Sequence, residues 1–197
     1  MKLNRIWEYI RVIGTALVLA LMIRTSVVQA YKIPSGSMIP TLLVGDYLIA
    51  NKFIYGIRIP LIDKRLIDLG KPKKGDIVIF PSPEDPSKDL IKRVIAVGGD
   101  LIEERNKQLL INGKLVEEPY VQHTDRFLVD NRDNLGPYLV PKDKIFVMGD
   151  NRDLSYDSRF WGYVDIKNVK GKAFLLYWSW DSEEHFPRFK RIGHLIK

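Results

Sequence analysis

From residue 31 onward the chain alternates short apolar runs with clusters of glycine, proline and aspartate. The runs at 47–50, 76–80, 90–97, 145–148 and 173–178 have the length of strands rather than helices, and turn residues bound each of them. Leu109-Leu110-Ile111, Asn112-Gly113 and Lys114-Leu115-Val116 predict a hairpin with a type I′ turn. The segment Pro-Ser-Pro-Glu-Asp-Pro-Ser-Lys at 81–88 reads as a loop. Residues 100–143 are more polar and carry the hairpin, which suggests a small lobe inserted between two core segments, 31–99 and 144–197. Helical periodicity is confined to the N-terminus. The expected fold is mainly β: an antiparallel β-sheet domain with a small inserted β lobe, preceded by one N-terminal transmembrane helix.

That helix is read from residues 1–30. The twelve uncharged residues 12–23 span about 18 Å as a helix, short of a hydrocarbon core of about 30 Å. Counting from Ile6, with Arg11 reaching back toward the headgroups, gives eighteen residues and about 27 Å. Lys2, Arg5 and Arg11 lie on the N-terminal side, which puts that end in the cytoplasm and the remainder outside. A removable signal peptide is the competing reading, with Val28-Gln29-Ala30 as its cleavage site, but Arg24 interrupts the expected layout.

Composition narrows the chemistry. The 197 residues hold no cysteine, which excludes disulfides, thiol nucleophiles and cysteine zinc sites. Lys and Arg total 31 against 24 Asp and Glu, a net charge of +7. These charges are interleaved with acids and match no nucleic-acid-binding module, so the excess fits a solvated basic surface or attraction to anionic lipid.

Two residues stand out. Ser37 lies in Pro34-Ser35-Gly36-Ser37-Met38-Ile39-Pro40, soon after the membrane segment, and Lys92 interrupts the apolar run Leu90-Ile91-Lys92-Arg93-Val94-Ile95. A serine hydroxyl needs a base to attack a carbonyl, and a neutral lysine amine can serve. In water about one lysine in several thousand is neutral at pH 7, so burial must disfavour the ammonium form. Alternation puts Leu90, Lys92 and Val94 on one strand face and Ile91, Arg93 and Ile95 on the other. The three histidines, His123, His185 and His194, lie in polar or C-terminal surroundings, so a serine-histidine-aspartate triad is the weaker proposal. Asp-Asn-Arg-Asp occurs twice, at 130–133 and 150–153; the spacing is too short for a repeat unit, and the first copy reads as coincidence.

Pro34-Ser35-Gly36-Ser37-Met38-Ile39-Pro40-Thr41-Leu42 resembles the serine box of bacterial type I signal peptidases, the membrane-bound leader peptidases. Gly45-Asp46 with Lys52-Phe53 resembles their next box, and Gly75-Asp76-Ile77-Val78 with Ile91-Lys92-Arg93 their lysine box. Gly149-Asp150-Asn151-Arg152-Asp153, followed by Ser155, Asp157-Ser158-Arg159 and Trp161-Gly162, resembles the last. The resemblance implies Ser37 as nucleophile, Lys92 as general base, and the Ser37 N–H with the Ser35 hydroxyl as oxyanion donors. It also implies a Ser155 hydrogen bond to Lys92, an Asp157–Arg159 pair bracing the loop, and structural roles for Gly149 and Asp150. Ile33, Met38, Leu42 and Ile91 are candidates for lining shallow pockets for small side chains, though as core residues they would look the same. No metal or cofactor is expected. The implied substrates are signal-peptide-bearing precursors cut after small residues of Ala-x-Ala type. Anionic lipids of the bilayer and the secretion translocon are the implied partners, at the outer face of the bacterial inner membrane. Two other readings stay open: a serine-lysine protease with a narrower task, and an inactive membrane-anchored β domain that binds exported chains.

Overall fold

The structure, a computed structural model, describes residues 7–17, 28–58 and 65–196. Fourteen strands occur among them: β1 (Val28–Lys32), β2 (Asp46–Asn51), β3 (Gly56–Arg58), β4 (Arg65–Asp68), β5 (Ile77–Pro81), β6 (Asp89–Val97), β7 (Leu101–Arg105), β8 (Gln108–Ile111), β9 (Lys114–Leu115), β10 (Leu135–Leu139), β11 (Lys144–Met148), β12 (Val164–Asp165), β13 (Gly171–Asp181) and β14 (Phe186–Pro187). Eight form a sheet in the order β1-β2-β13-β5-β6-β11-β12, with β14 paired to β13. A four-stranded sheet, β10-β7-β8-β9, and a two-stranded one, β3-β4, complete the set. Every strand pairing is antiparallel. The protein is mainly β.

The apolar runs end up where burial demands. Ile77, Val78, Ile79 and Phe80 are all buried, so β5 is covered on both faces and an unbroken apolar run suits it. The two faces serve different clusters. Ile77 and Ile79 pack with Ile33, Met38 and Leu42, whereas Val78 and Phe80 pack with Val94, Val147 and Val169. A third cluster joins Ile95, Phe146 and Met148 to Ile102 and Leu109 of the smaller sheet. In the β8–β9 hairpin, Asn112 and Gly113 take φ of 53° and 75°, the left-handed conformations that a type I′ turn requires.

The N-terminal segment needs a correction. Val28, Gln29 and Ala30, assigned with the membrane helix, instead begin β1 and pair with residues 49–51 of β2. Their side chains are exposed, so backbone pairing rather than an apolar pattern specifies this edge strand. Residues 7–17 are helical, with every side chain exposed, including Trp7, Ile10, Ile13 and Leu17. Among the described residues no helix is long and apolar enough to cross a membrane. The predicted span also includes Ile6 and residues 18–23, which lie outside the described residues.

Strand β6 is paired over different lengths on its two edges. Its residues 89–93 pair with β5, while pairing with β11 begins only at Arg93. The second edge of residues 89–92 is therefore not laddered to a neighbouring strand. It borders a groove whose opposite wall is formed by residues 31–35.

Candidate active site

Ser37 sits in a single 3₁₀ turn, Gly36–Met38, that follows the extended Ser35. The buried side chains of Ile33 and Met38 anchor this segment in the core from either side. Lys92 comes from β6, opposite Val78 of β5, and is only 3% exposed. The two side chains meet: Lys92 Nζ donates to Ser37 Oγ at 2.6 Å. Burial lowers the Lys92 pKa to about 8; Asp157 and Asp150 pull it back up, and Arg159 adds to the lowering. An amine with that pKa is about one-tenth neutral at pH 7, several hundredfold more than in water.

The loop at 149–159 locks the serine turn in place. Asn151 donates its backbone N–H to the Ser37 carbonyl (3.1 Å) and its side-chain amide to the Gly36 carbonyl (3.1 Å). Gly149 lies against the same turn, and a Cβ there would collide with both the Ser37 carbonyl and Ser155 Oγ. The glycine is a requirement of close approach. Its N–H donates to Asp157 Oδ2 at 3.0 Å, and Asp157 in turn accepts from Arg159 Nε (2.9 Å) and Nη2 (3.0 Å). Both partners of that ion pair are buried. Two oxygens meeting two parallel N–H groups fix direction as well as distance.

A second buried pair lies beneath. Arg93 binds Asp150 through Nε (2.8 Å) and Nη2 (2.7 Å), and Thr41 donates its hydroxyl to Asp150 Oδ2. The Tyr120 ring stacks 3.9 Å from the Arg93 guanidinium carbon, and its hydroxyl donates to Glu118. Glu118 then pairs with Arg152, whose Nε donates to the Gly149 carbonyl. The backbone of Gln122 bonds to that of Asp150 and Arg152. Segment 118–122 thus holds the far side of the loop that holds Ser37.

Some expected placements differ. Ser155 does not hydrogen-bond Lys92: its Oγ is buried with no hydrogen-bond partner among the described residues, pressed against Gly149. Leu42 does not line the groove; it is fully enclosed in the core cluster, because the turn after Met38 carries it inward. Ile33, Met38 and Ile91 do line it, together with Ser35, Ser37 and Lys92, around about 270 Å³ of space. Ser35 is exposed beside Ser37, and its side chain makes no capping bond to the turn. Nor is the first Asp-Asn-Arg-Asp copy idle, since Arg132 reaches Asp153 of the second copy at 3.5 Å and its carbonyl accepts from Arg159.

Glu118 and Tyr120 lie in no motif that marks them as site residues, and Thr41, Arg93 and Asn151 lie inside the quoted motifs without a role being assigned to them. One signal was available for Arg93, a second cation in a buried apolar strand, which demands a buried counter-charge. Two other Gly-Asp pairs, Gly45-Asp46 and Gly75-Asp76, serve as struts. Asp46 accepts from Leu43 N–H, Ser179 and Arg191, and Asp76 from Tyr55, Lys172 and Lys73 N–H.

Residues 6–178 match the family described as Signal peptidase, peptidase S26. The chain belongs to that family. Signal peptidase I of Pseudomonas fluorescens is 38% identical across the whole chain and 82% of its own length. Signal peptidase I of Leptolyngbya laminosa is 40% identical over 87% of this chain and 79% of its own. A crystal structure of a signal peptidase I from Enterococcus faecalis V583 shares 33% identity over 52% of this chain and 97% of its own, with a TM-score of 0.45. As a member of the peptidase S26 family the protein is a peptidase, and the residues that matching segment contains include Ser37, Lys92 and the whole loop at 149–159.

Proposed function

We propose that the protein is a membrane-anchored serine endopeptidase that removes N-terminal signal peptides from exported precursors, with Ser37 as nucleophile and Lys92 as general base. One observation carries this reading: a buried amine, its ammonium form disfavoured, bonded at 2.6 Å to a serine hydroxyl. Lys92 takes the Ser37 proton as Oγ attacks the carbonyl carbon. The resulting ammonium then gives that proton to the departing amine, leaving an ester between Ser37 and the signal peptide. Water, deprotonated by the same amine, cleaves the ester and releases a carboxylate.

The Ser37 N–H and the Ser35 hydroxyl hold the oxyanion. The hydroxyl is exposed beside Ser37 and is not spent on capping the turn. The signal peptide lies in the groove, its main chain along the open edge of residues 89–92, in the manner of an added strand. Ile33, Met38 and Ile91 present apolar walls to a space of about 270 Å³, which suits small side chains such as those of Ala-x-Ala. The exposed apolar residues of helix 7–17 and the net charge of +7 support anchoring in an anionic bilayer, with the sheet domain on the outer face of the inner membrane. Residues 100–143 form the small lobe, and its segment 118–122 braces the catalytic loop.

Cleavage of a purified precursor by the wild-type chain, Ser37→Ala and Lys92→Ala tests this. Each variant is expected to lose at least about a thousandfold in kcat. Near-normal turnover in either would remove that residue from its role.

A further inference from the structure

The groove accounts for one side of Ser37. Next to Ser37 and outside that groove lies an apolar ledge: Leu154, Tyr156 and Phe160 are 68%, 53% and 44% exposed. The rings of Tyr156 and Phe160 stack with centroids 5.2 Å apart. Their chain neighbours Arg152, Ser155, Asp157 and Ser158 are all buried, so the loop that presents these three side chains is fixed from beneath. Isolated exposed apolar residues are ordinary, but three together on a rigid loop beside a nucleophile are not.

The ledge starts close to Ser37. The turn Arg152–Leu154 packs against the turn Gly36–Met38, and Ser155 approaches the Ser37 carbonyl across Gly149. It also lies outside the groove. Ile33, Met38 and Ile91, which wall the groove, belong to one apolar cluster, whereas Trp161 of the helical turn Ser158–Trp161 that carries Phe160 packs against another, with Val78, Phe80 and Val147; Leu90 borders both the groove and that second cluster. None of Leu154, Tyr156 and Phe160 lines the groove. A substrate whose acyl half fills the groove in extended form advances about 3.3 Å per residue. Two residues past the bond that Ser37 attacks, it has moved roughly 7 Å away from the groove.

We propose that Leu154, Tyr156 and Phe160 bind the substrate residues that come after the scissile bond, and favour apolar side chains there. The proposal rests on the reading of Ser37 and Lys92 as a proteolytic pair. Tyr156 donates its hydroxyl to Glu84 at 2.8 Å, so a carboxylate rims the ledge and disfavours an acidic residue at the same place. This selectivity belongs to acylation alone, because the leaving segment has gone once the ester on Ser37 forms.

The test uses soluble peptides identical up to the scissile bond and carrying Leu, Gly or Asp at the second position after it. For the wild-type chain, kcat/KM is expected to fall in that order, with about fivefold between Leu and Gly, below the tenfold or more that a closed apolar pocket gives. Replacing the ledge (Leu154→Ser, Tyr156→Ser and Phe160→Ser together) compresses the spread to under about twofold while the deacylation rate of the common acyl-enzyme stays the same. Leu154→Gln alone, at the most exposed of the three, gives a partial compression and keeps the test available if the triple variant does not fold. An unchanged spread in these variants overturns the ledge and leaves the proteolytic pair standing. Slowed deacylation, or equal loss for all peptides, assigns the loop a structural role and also overturns it. A loss seen only with precursors in anionic vesicles, and not with soluble peptides, assigns the three side chains to the bilayer instead. Failure of the wild-type chain to cleave any peptide, or full cleavage by Ser37→Ala, would remove the proteolytic reading and the ledge with it.

Discussion

Replacing Lys92 with methionine should abolish catalysis and stabilise the fold at neutral pH. Burial lowers the Lys92 pKa from 10.5 to about 8. Between those values the unfolded chain binds more protons at this position than the native one, so stability rises with pH across that window. Below pH 8 the full penalty applies: a difference of 2.5 in pKa corresponds to about 3 kcal/mol at pH 7. It shrinks to about 2 kcal/mol at pH 9 and to under about 0.5 kcal/mol at pH 10.5. Methionine has similar bulk and no charge to desolvate, so Lys92→Met recovers most of this. The lost partner costs little, because Ser37 is not fully buried and water can replace the amine. Urea unfolding monitored by tryptophan fluorescence, at pH 7, 9 and 10.5, measures the difference. A variant no more stable than wild type at pH 7, or an advantage that did not diminish with pH, would show that the native site does not disfavour the ammonium form.

Three other outcomes concern buried groups around the same loop. Asp150→Ala strands the Arg93 guanidinium and is expected to lower stability by about 3–5 kcal/mol, read from the denaturation midpoint; Arg93→Met in the same chain should restore most of it. Gly149→Ala forces the Ser37 carbonyl and Ser155 apart, and a displacement approaching 1 Å should reduce kcat by about a hundredfold without large change in KM. Glu104 is buried with neither carboxylate oxygen hydrogen-bonded among the described residues, and burial raises its pKa from 4.5 to about 7 against the pull of Arg159 and Arg152. The native state therefore holds the extra proton between those values, and stability falls as pH rises through that window. Glu104→Gln should be more stable than wild type at pH 8, by up to about 3 kcal/mol, and equal to it near pH 4.5.

Much of the sheet could be read from the chain because strands such as β5 are buried on both faces. Residues 77–80 advertise themselves by an unbroken apolar run, and in 90–97 Lys92 is conspicuous for interrupting one. Strand β1 gave no such signal. It lies on the sheet edge with exposed side chains and comes directly after an apolar stretch, so its first three residues looked like the end of a helix. The bracing network was illegible for another reason: Glu118 and Arg152 are 34 positions apart, and Arg93 and Asp150 are 57. A sequence shows the charges without showing which of them fold together. Ser155 illustrates the limit of motif reasoning, since its position in the chain is the expected one but its hydroxyl contacts Gly149 instead of the amine. Glu104 could have been found. Alternation in Leu101-Ile102-Glu103-Glu104-Arg105 puts it on the same buried face as Ile102.

The most direct test is the pH dependence of kcat/KM for a soluble peptide substrate, which reports ionisations of the free enzyme. If Lys92 activates Ser37, the rate should climb about tenfold per pH unit up to a single pKa near 8, then level off, and Lys92→Ala should retain no such limb in its residual activity. A profile that is flat between pH 6 and 9, or one whose limb lies near the ordinary histidine value of about 6.5, would contradict it.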